Sequence, residues 1–352
     1  MKYFEVKQVH FEPTQLCQAS CPMCDRNKNG GDVNQHLTDS SMSLEQFKKA
    51  FEPAFLKRLH TFYMCGNHGD PIFAPEMLEM CEYVRECAPH ISLSITTNGG
   101  ARKPEWWERL AKVVSFVNFS VDGLEDTNHL YRQGVVWKNV EENMQAFIDA
   151  GGKAKWTFLI FNYNEHQVKL AEMQAKLMGV DEFIIKKSGR YVTSADLEKK
   201  DSHQAVDRKG NLTQLLSPPQ NPEYKNKEIE NYDEIVSKYG GSMERLVMEA
   251  PMYPKCMQKK EIYVSATGLV TPCCWMNGQL LKWWRDPKDT EEHQLIESTG
   301  GYDNINVIIT PLKDIVNSNF FKEVEKSWSE KRLRICGVKC NIAFDPFKAQ
   351  WQ

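Results

Sequence analysis

The sequence predicts an α/β protein: an open, partial (β/α)6 barrel followed by a smaller α+β unit rich in cysteine. Three observations lead there. The first 190 residues alternate short apolar runs with amphipathic stretches, the alternation breaks after Arg190, and the eleven cysteines fall into three groups, at 17–24, 65–87 and 256–340. Repeated strand–helix units imply a parallel sheet with right-handed crossovers. Six such units suit a partial, TIM-like barrel better than a closed eight-stranded one.

The strand-like runs are 6–11, 61–64, 91–96, 115–121, 155–161 and 182–186. Helix signatures separate them. Ser43-Leu44-Glu45-Gln46 is a capping box, followed by Leu44, Phe47, Phe51 and Phe55 on one face. Pro75 and Pro104 each stand where a first helical turn would begin. Val140, Met144, Phe147 and Ile148 form a third face, stopped by Gly151 and Gly152; Val168, Met173 and Leu177 form a fourth, ending at Gly179. Residues 191–250 are polar, carry Ser217-Pro218-Pro219 and Pro222, and show one modest helix around 232–239, as an insert or linker would. From 251 onward come short strands, five cysteines and a helix near 312–328. The expected units are therefore 1–190, 191–250 and 251–352, with no internal repeat.

Composition narrows the function. The 352 residues carry 44 Lys plus Arg against 47 Asp plus Glu, a formal charge of −3, so no global field exists to grip nucleic acid or an anionic membrane. Hydrophobics at 41% and charged residues at 26% exclude wholesale disorder. The first fifteen residues hold no uninterrupted apolar core, and no window matches the apolar length of a membrane span. The expectation is a soluble, cytoplasmic protein. In a reducing compartment so many thiols at short spacing suggest metal rather than disulfides.

Cys17, Cys21 and Cys24 follow the first strand directly, in the long loop before the capping-box helix. Three thiolates within eight residues can hold three corners of a 4Fe–4S cube and leave one iron open. Zinc is the alternative, but a closed zinc site takes four ligands, and no partner follows at finger spacing. His10 could be recruited, although a strand histidine is more often simply packed.

At this point the sequence resembles the radical S-adenosylmethionine (radical SAM) superfamily, over residues 5–190. The CxxxCxxC loop sits after the first strand, and further pieces fall in order. Gly66-Asn67-His68-Gly69-Asp70-Pro71 stands where that family has its GGE-type motif, whose backbone holds the SAM amino group. Asp70 replaces the usual Glu, so the resemblance carries a backbone role better than a side-chain one. Thr97-Asn98-Gly99 ends the third strand, and Ser120-Val121-Asp122-Gly123 ends the fourth, followed by Tyr131-Arg132. In similar enzymes that Ser and Arg contact the SAM carboxylate or ribose, and Asn162 matches an adenosine contact. The resemblance thus implies SAM contacts at Gly66, His68, Gly69, Asp70, Asn98, Ser120, Asp122, Arg132 and Asn162. Singly, each piece reads as a turn, a cap or a surface ion pair. Succeeding one another at the carboxyl ends of parallel strands, they favour a site. The chemistry implied is one-electron cleavage of SAM to methionine and a 5′-deoxyadenosyl radical, which abstracts a hydrogen atom from substrate. No catalytic side chain is assigned beyond the cluster.

Cys256, eleven residues, Gly268, four residues, Cys273: with Cys336 and Cys340, this resembles the opening of the SPASM and Twitch domains that carry auxiliary 4Fe–4S clusters. Four well-spaced ligands match the shorter Twitch form with one cluster, and Cys274 is a spare thiol that could substitute. A structural four-cysteine zinc site is permitted by the same count. Four protein ligands leave no open iron, which points to an electronic role suited to net oxidation. Relatives with such a domain include 2-deoxy-scyllo-inosamine dehydrogenase, sulfatase-maturating enzymes and peptide maturases. In the sulfatase-maturating type an Asp base follows the second cysteine; here Cys274 and Trp275 follow, which speaks against that activity. The first strand begins almost at Met1, which speaks against a leader-guided peptide.

The expectation is therefore a radical SAM oxidoreductase or modifying enzyme with two 4Fe–4S clusters and SAM. It would act on a small molecule or peptide with a flavodoxin- or ferredoxin-type electron donor. The alternative is a non-catalytic zinc or electron-transfer protein on the same fold. Cys65, Cys81 and Cys87 read as small apolar residues, with Cys65 beside the GGE-like loop. Lys186, Lys187 and Arg190 could bind an anionic substrate or simply be solvated. Trp275, Trp283 and Trp284 read as aromatic packing, and His68 as a turn histidine that could exchange protons with substrate.

Overall fold

The computed structural model describes residues 1–192 and 198–350; 193–197, within the expected insert, and 351–352 lie outside the described residues. In chain order the strands are β1 Gln8–Phe11, β2 Thr61–Cys65, β3 Ser92–Thr97, β4 Phe116–Ser120, β5 Ala154–Ile160, β6 Glu182–Lys187, β7 His203–Val206, β8 Leu212–Leu216, β9 Glu261–Val264 and β10 Val270–Thr271. The first six pair in sequence order, all parallel, within a residue or two of the predicted runs. Two further strands join them. β9 pairs in parallel with β1, Gln8 opposite Glu261 and Phe11 opposite Val264, and β10 runs antiparallel beside β9. The resulting open sheet of eight strands is ordered β10-β9-β1-β2-β3-β4-β5-β6.

Alternation along β1 shows how the sheet is built. Val9 and Phe11 are fully buried, and Phe11 meets Phe47 at 5.2 Å, Phe51 at 5.6 Å and Phe62 at 6.1 Å between ring centres. Gln8 and His10 point to the opposite face, where His10 stacks on Tyr63 at 4.5 Å. The capping box forms as expected: Gln46 N–H donates to Ser43 Oγ (3.2 Å) and Ser43 N–H to Gln46 Oε1 (3.0 Å). That helix, Leu44–Ala50, ends before Phe51, and Pro53 opens the next short one, Pro53–Leu56, so the predicted phenylalanine face spans two helices.

Helices Pro104–Ala111 and Trp137–Asp149 stand where expected. Helix Val168–Met178 closes at Gly179, whose φ of +85° supplies the left-handed cap. Its buried face differs from the predicted one. Met173 and Leu177 are 61% and 87% exposed, while Val168, Ala171 and Ala175 face inward. The alanines bring the helix backbone close to β5 and β6, and the longer side chains are left outside.

The expected insert is more ordered than a linker. β7 and β8 form an antiparallel hairpin, and helices Tyr232–Ser237 and Met243–Glu249 follow. The hairpin straps the cysteine loop: Val206 N–H donates to the Asn29 carbonyl (3.0 Å), Arg208 to that of Gln18 (3.3 Å), and His203 Nε2 meets that of Pro22 (3.1 Å). The single helix expected at 312–328 is two, Leu312–Val316 and Asn319–Ser327, broken at Asn317 and Ser318. Among the described residues no helix is long and apolar enough to cross a membrane.

Candidate functional site

The chain leaves β1, runs extended past Thr14 and turns through the three cysteines. Cys24 N–H donates to the Cys21 carbonyl (3.1 Å) and Asn27 N–H to that of Cys24 (3.0 Å). All three thiols are unbonded, and each lies within electrostatic reach of another. Burial pushes all of them up, Cys21 to about 11, where the Arg132 guanidinium partly opposes it. Such thiols are protonated at neutral pH and would release protons on taking a metal.

Three segments reach this loop. Asn98 Nδ2 approaches Cys17 Sγ (3.8 Å), Arg132 Nη1 approaches Cys21 Sγ (3.9 Å), and the Asn67 carbonyl lies 3.7 Å from Cys24 Sγ. Two buried carboxylates aim them. Asp70 accepts from Asn98 N–H (2.8 Å), Asn98 Nδ2 (2.6 Å) and Ile72 N–H (3.3 Å). Asp122 accepts from Arg132 Nε (2.6 Å) and Leu159 N–H (2.8 Å). The side chains of Asp70 and Asp122 are thus engaged within the protein, behind Asn98 and Arg132. Asn162, after β5, keeps a buried Oδ1 without a protein partner, whereas neighbouring Asn164 is fully bonded. Ser120 ends β4, half-buried.

Gly66 and Gly69 are demanded by close approach. A Cβ on Gly66 would sit 1.8 Å from the Gly69 carbonyl oxygen, and one on Gly69 would sit 2.0 Å from that of Thr14. His68 is buried, its N–H donating to Glu12 Oε1 (2.7 Å). Two contributors, Glu12 and Arg26, carried no sequence signal: both are more than nine-tenths buried beneath the loops, and Arg26 donates to the carbonyls of Gln15 and His68. Arg190 reaches back to the Met23 carbonyl and the Tyr131 hydroxyl. Lys186, half-buried at the end of β6, is pushed down to about 8 by burial and then by Arg190. Lys187 instead engages the chain at Gln350 and Asn226 through its backbone.

Arg132 and Asp122 form a pair in which Asp122 is almost wholly buried. Removing one partner leaves the other charge uncompensated, so Arg132→Ala is expected to cost up to about 3–5 kcal/mol. Urea unfolding of the variant against the parent measures it; an unchanged midpoint would show the pair to be dispensable.

The second cysteine group also assembles. Cys256 lies in helix Lys255–Lys259, Cys273 caps helix Cys274–Gln279, Cys336 lies in helix Arg334–Lys339, and Cys340 ends that helix. Cys273 is raised by burial and by Cys274, Cys256 and Cys336; Cys256 is pushed to about 12 by burial and by Cys340. Lys255 N–H points at Cys340 Sγ (3.4 Å). Gly268 makes the turn between β9 and β10 at φ +87°, where a Cβ would meet Asn306 Oδ1 at 2.4 Å. Cys274 acts electrostatically on Cys273 and is itself raised by burial and by Glu261, Cys65 and Glu12. Cys81 is fully buried against Met64, and Cys65 is half-buried at the end of β2. Trp275 packs on Phe347 (5.2 Å) with the buried Lys339 ammonium over both rings, and Trp283 packs on Trp284 (5.3 Å).

The two groups are tied together. Asp25, beside Cys24, pairs with Lys282; Asn34 donates to the Leu281 carbonyl and Gln35 to that of Trp283, both at 2.6 Å. Among the described residues no three His, Cys, Asp or Glu side chains converge tightly enough to hold a single metal ion. The seven cysteines stand as a set of three and a set of four, soft donors of the kind that hold zinc or iron–sulfur groups.

Solved structures share this architecture. Streptococcus suis SuiB bound to S-adenosylmethionine matches at a TM-score of 0.57 and 16% identity, covering 95% of this chain and 72% of its own. SuiB bound to its precursor peptide SuiA matches at 0.58 and 13%, covering 95% and 71%. His-tagged anSMEcpe with bound AdoMet matches at 0.55 and 15%, covering 98% and 92%. At these identities the likeness is one of fold. No curated protein matches the chain by sequence. Residues 11–173 match the family model described as the Radical SAM superfamily. They hold Cys17, Cys21 and Cys24 and strands β2 to β5, so it is this stretch that is similar to radical SAM domains.

Proposed function

We propose that this chain binds a 4Fe–4S cluster on Cys17, Cys21 and Cys24 together with SAM, and oxidises or otherwise modifies a small molecule or peptide. An auxiliary cluster on Cys256, Cys273, Cys336 and Cys340 would assist. The observation that carries the reading is the meeting of the three-cysteine loop with Asn67, Asn98 and Arg132 at the carboxyl ends of the strands. When bound, the first cluster and SAM supply a primary-carbon radical able to take a hydrogen atom.

The chain's own residues bind and aim. The Asn67 carbonyl faces the cysteine loop as an acceptor for an ammonium group. Arg132, fixed by Asp122, offers a guanidinium for a carboxylate or hydroxyl, and the orphan Asn162 oxygen suits a ribose or adenine donor. The β7–β8 hairpin packs over the loop through its contacts to the Pro22 and Gln18 carbonyls. Lys282 and Asp25 hold the second cysteine group in fixed relation to the first. A flavodoxin- or ferredoxin-type protein would supply electrons. That SuiB and anSMEcpe are seen with peptides keeps a peptide substrate beside a small molecule.

Anaerobic reconstitution tests this. About eight iron and eight sulfide per chain, with 5′-deoxyadenosine formed under dithionite, are expected for two clusters. Cys273→Ala should hold about four iron, still cleave SAM, and fail to turn over the true substrate. Bound zinc with no deoxyadenosine would refute the proposal.

A further inference from the structure

The loop Gly66–Asp70 takes its orientation from Glu12, a residue just past β1 that is 1% exposed. Glu12 Oε1 accepts the N–H groups of His68 (2.7 Å) and Gly69 (3.0 Å). Its Oε2 accepts the hydroxyl of Tyr263, on β9, and lies 3.9 Å from His68 Nδ1. Burial works against its charge, but the hydrogen bonds from His68 and Tyr263 outweigh it and hold the carboxyl below its usual range.

Peptide geometry turns these bonds into a statement about the site. A trans peptide carries its N–H and C=O on opposite sides. With the His68 N–H turned to Glu12, the Asn67 carbonyl must face the other way, and it does, 3.7 Å from Cys24 Sγ. With the Gly69 N–H turned to Glu12, the His68 carbonyl faces Arg26 (3.5 Å). One carboxylate therefore sets which loop carbonyl is presented to the three-cysteine loop. Tyr263 ties that carboxylate to the strand that leads, through the Gly268 turn, to Cys273.

We propose that Glu12 is a positioning residue that holds the Asn67 carbonyl toward the cysteine loop as the acceptor for the ligand's ammonium group, with Tyr263 fixing Glu12 from β9. This rests on the proposed binding of SAM. It adds that the ammonium contact depends on a carboxylate touching neither cluster nor SAM.

The test uses the reconstituted full-length protein without reductant, with SAM and its desamino analogue as probes in equilibrium dialysis. Glu12→Ala, which leaves two backbone N–H groups without their acceptor, is expected to weaken SAM binding about tenfold or more at unchanged iron content. The desamino analogue should bind parent and variant alike, because it has no ammonium to present. Glu12→Gln keeps an oxygen for both N–H groups and should bind SAM within about threefold of the parent. Tyr263→Phe removes one oxygen inside a buried strand and should weaken SAM about threefold and the analogue not at all. It carries the test if the alanine variant does not fold. Equal weakening of SAM and analogue, or no weakening of SAM, would overturn the positioning role. A parent that holds its iron but binds neither probe would instead refute the functional reading, and the positioning role with it.

Discussion

Cys21→Ala is expected to abolish 5′-deoxyadenosine formation and to lower the iron of the reconstituted protein from about eight to about four per chain. Among the described residues the loop brings three thiols together, and each would supply one of the cluster's three protein ligands. The fold should survive, since a buried cysteine packs as a small apolar side chain and alanine is only slightly smaller. Cys17→Ala and Cys24→Ala should behave alike. Cys81→Ala is the matched control: Cys81 is equally buried but packs against Met64 on helix Met77–Cys87, and its loss should leave iron and SAM cleavage intact. Iron analysis and product chromatography read both quantities, and cleavage surviving in any of the three loop variants would overturn the assignment.

Gly69→Ala is expected to eliminate SAM binding and lower thermal stability together. The added Cβ would lie 2.0 Å from the Thr14 carbonyl oxygen, so one of the two backbones has to move by about an ångström. Either movement reaches the site, because Gly69 N–H is held by Glu12 and Thr14 leads within three residues to Cys17. Gly66→Ala should do the same through the Gly69 carbonyl, 1.8 Å from its Cβ. Neither glycine has a positive φ; the demand at both is space. Gly151→Ala provides the contrast. There φ is +86° and nothing lies within 4 Å of the new Cβ, so backbone strain of about 1–2 kcal/mol is the whole cost and SAM binding should be unchanged. Thermal melts and equilibrium dialysis on the three variants decide it; a Gly69→Ala protein that binds SAM like the parent would show that the loop tolerates displacement.

Several features were legible because they are local. The six parallel strands, the capping box at Ser43, the stop at Gly179 and the CxxxCxxC loop depend on residues a few positions apart, whose spacing repeats the helix or strand period. The grouping of Cys256 and Cys273 with Cys336 and Cys340 rested on a resemblance to the SPASM and Twitch motifs, not on local spacing. The face of helix Val168–Met178 was misread for a physical reason: periodicity marks bulky apolar residues, whereas this helix docks by its alanines and leaves Leu170, Met173 and Leu177 outside.

What only the tertiary structure decided concerns pairs far apart in the chain. β9 is four residues long, and nothing in Glu261–Val264 specifies that it lies parallel to Gln8–Phe11 some 250 residues earlier; backbone hydrogen bonds carry no side-chain signature. The β7–β8 hairpin joins the site through contacts to carbonyls, which every residue has. That Asp70 and Asp122 pair with Asn98 and Arg132 shows only in the fold, and Glu12 drew no notice although it accepts two N–H groups of the loop. A carboxylate's identity reveals its charge, but burial and the donors the fold brings to it decide what that charge holds.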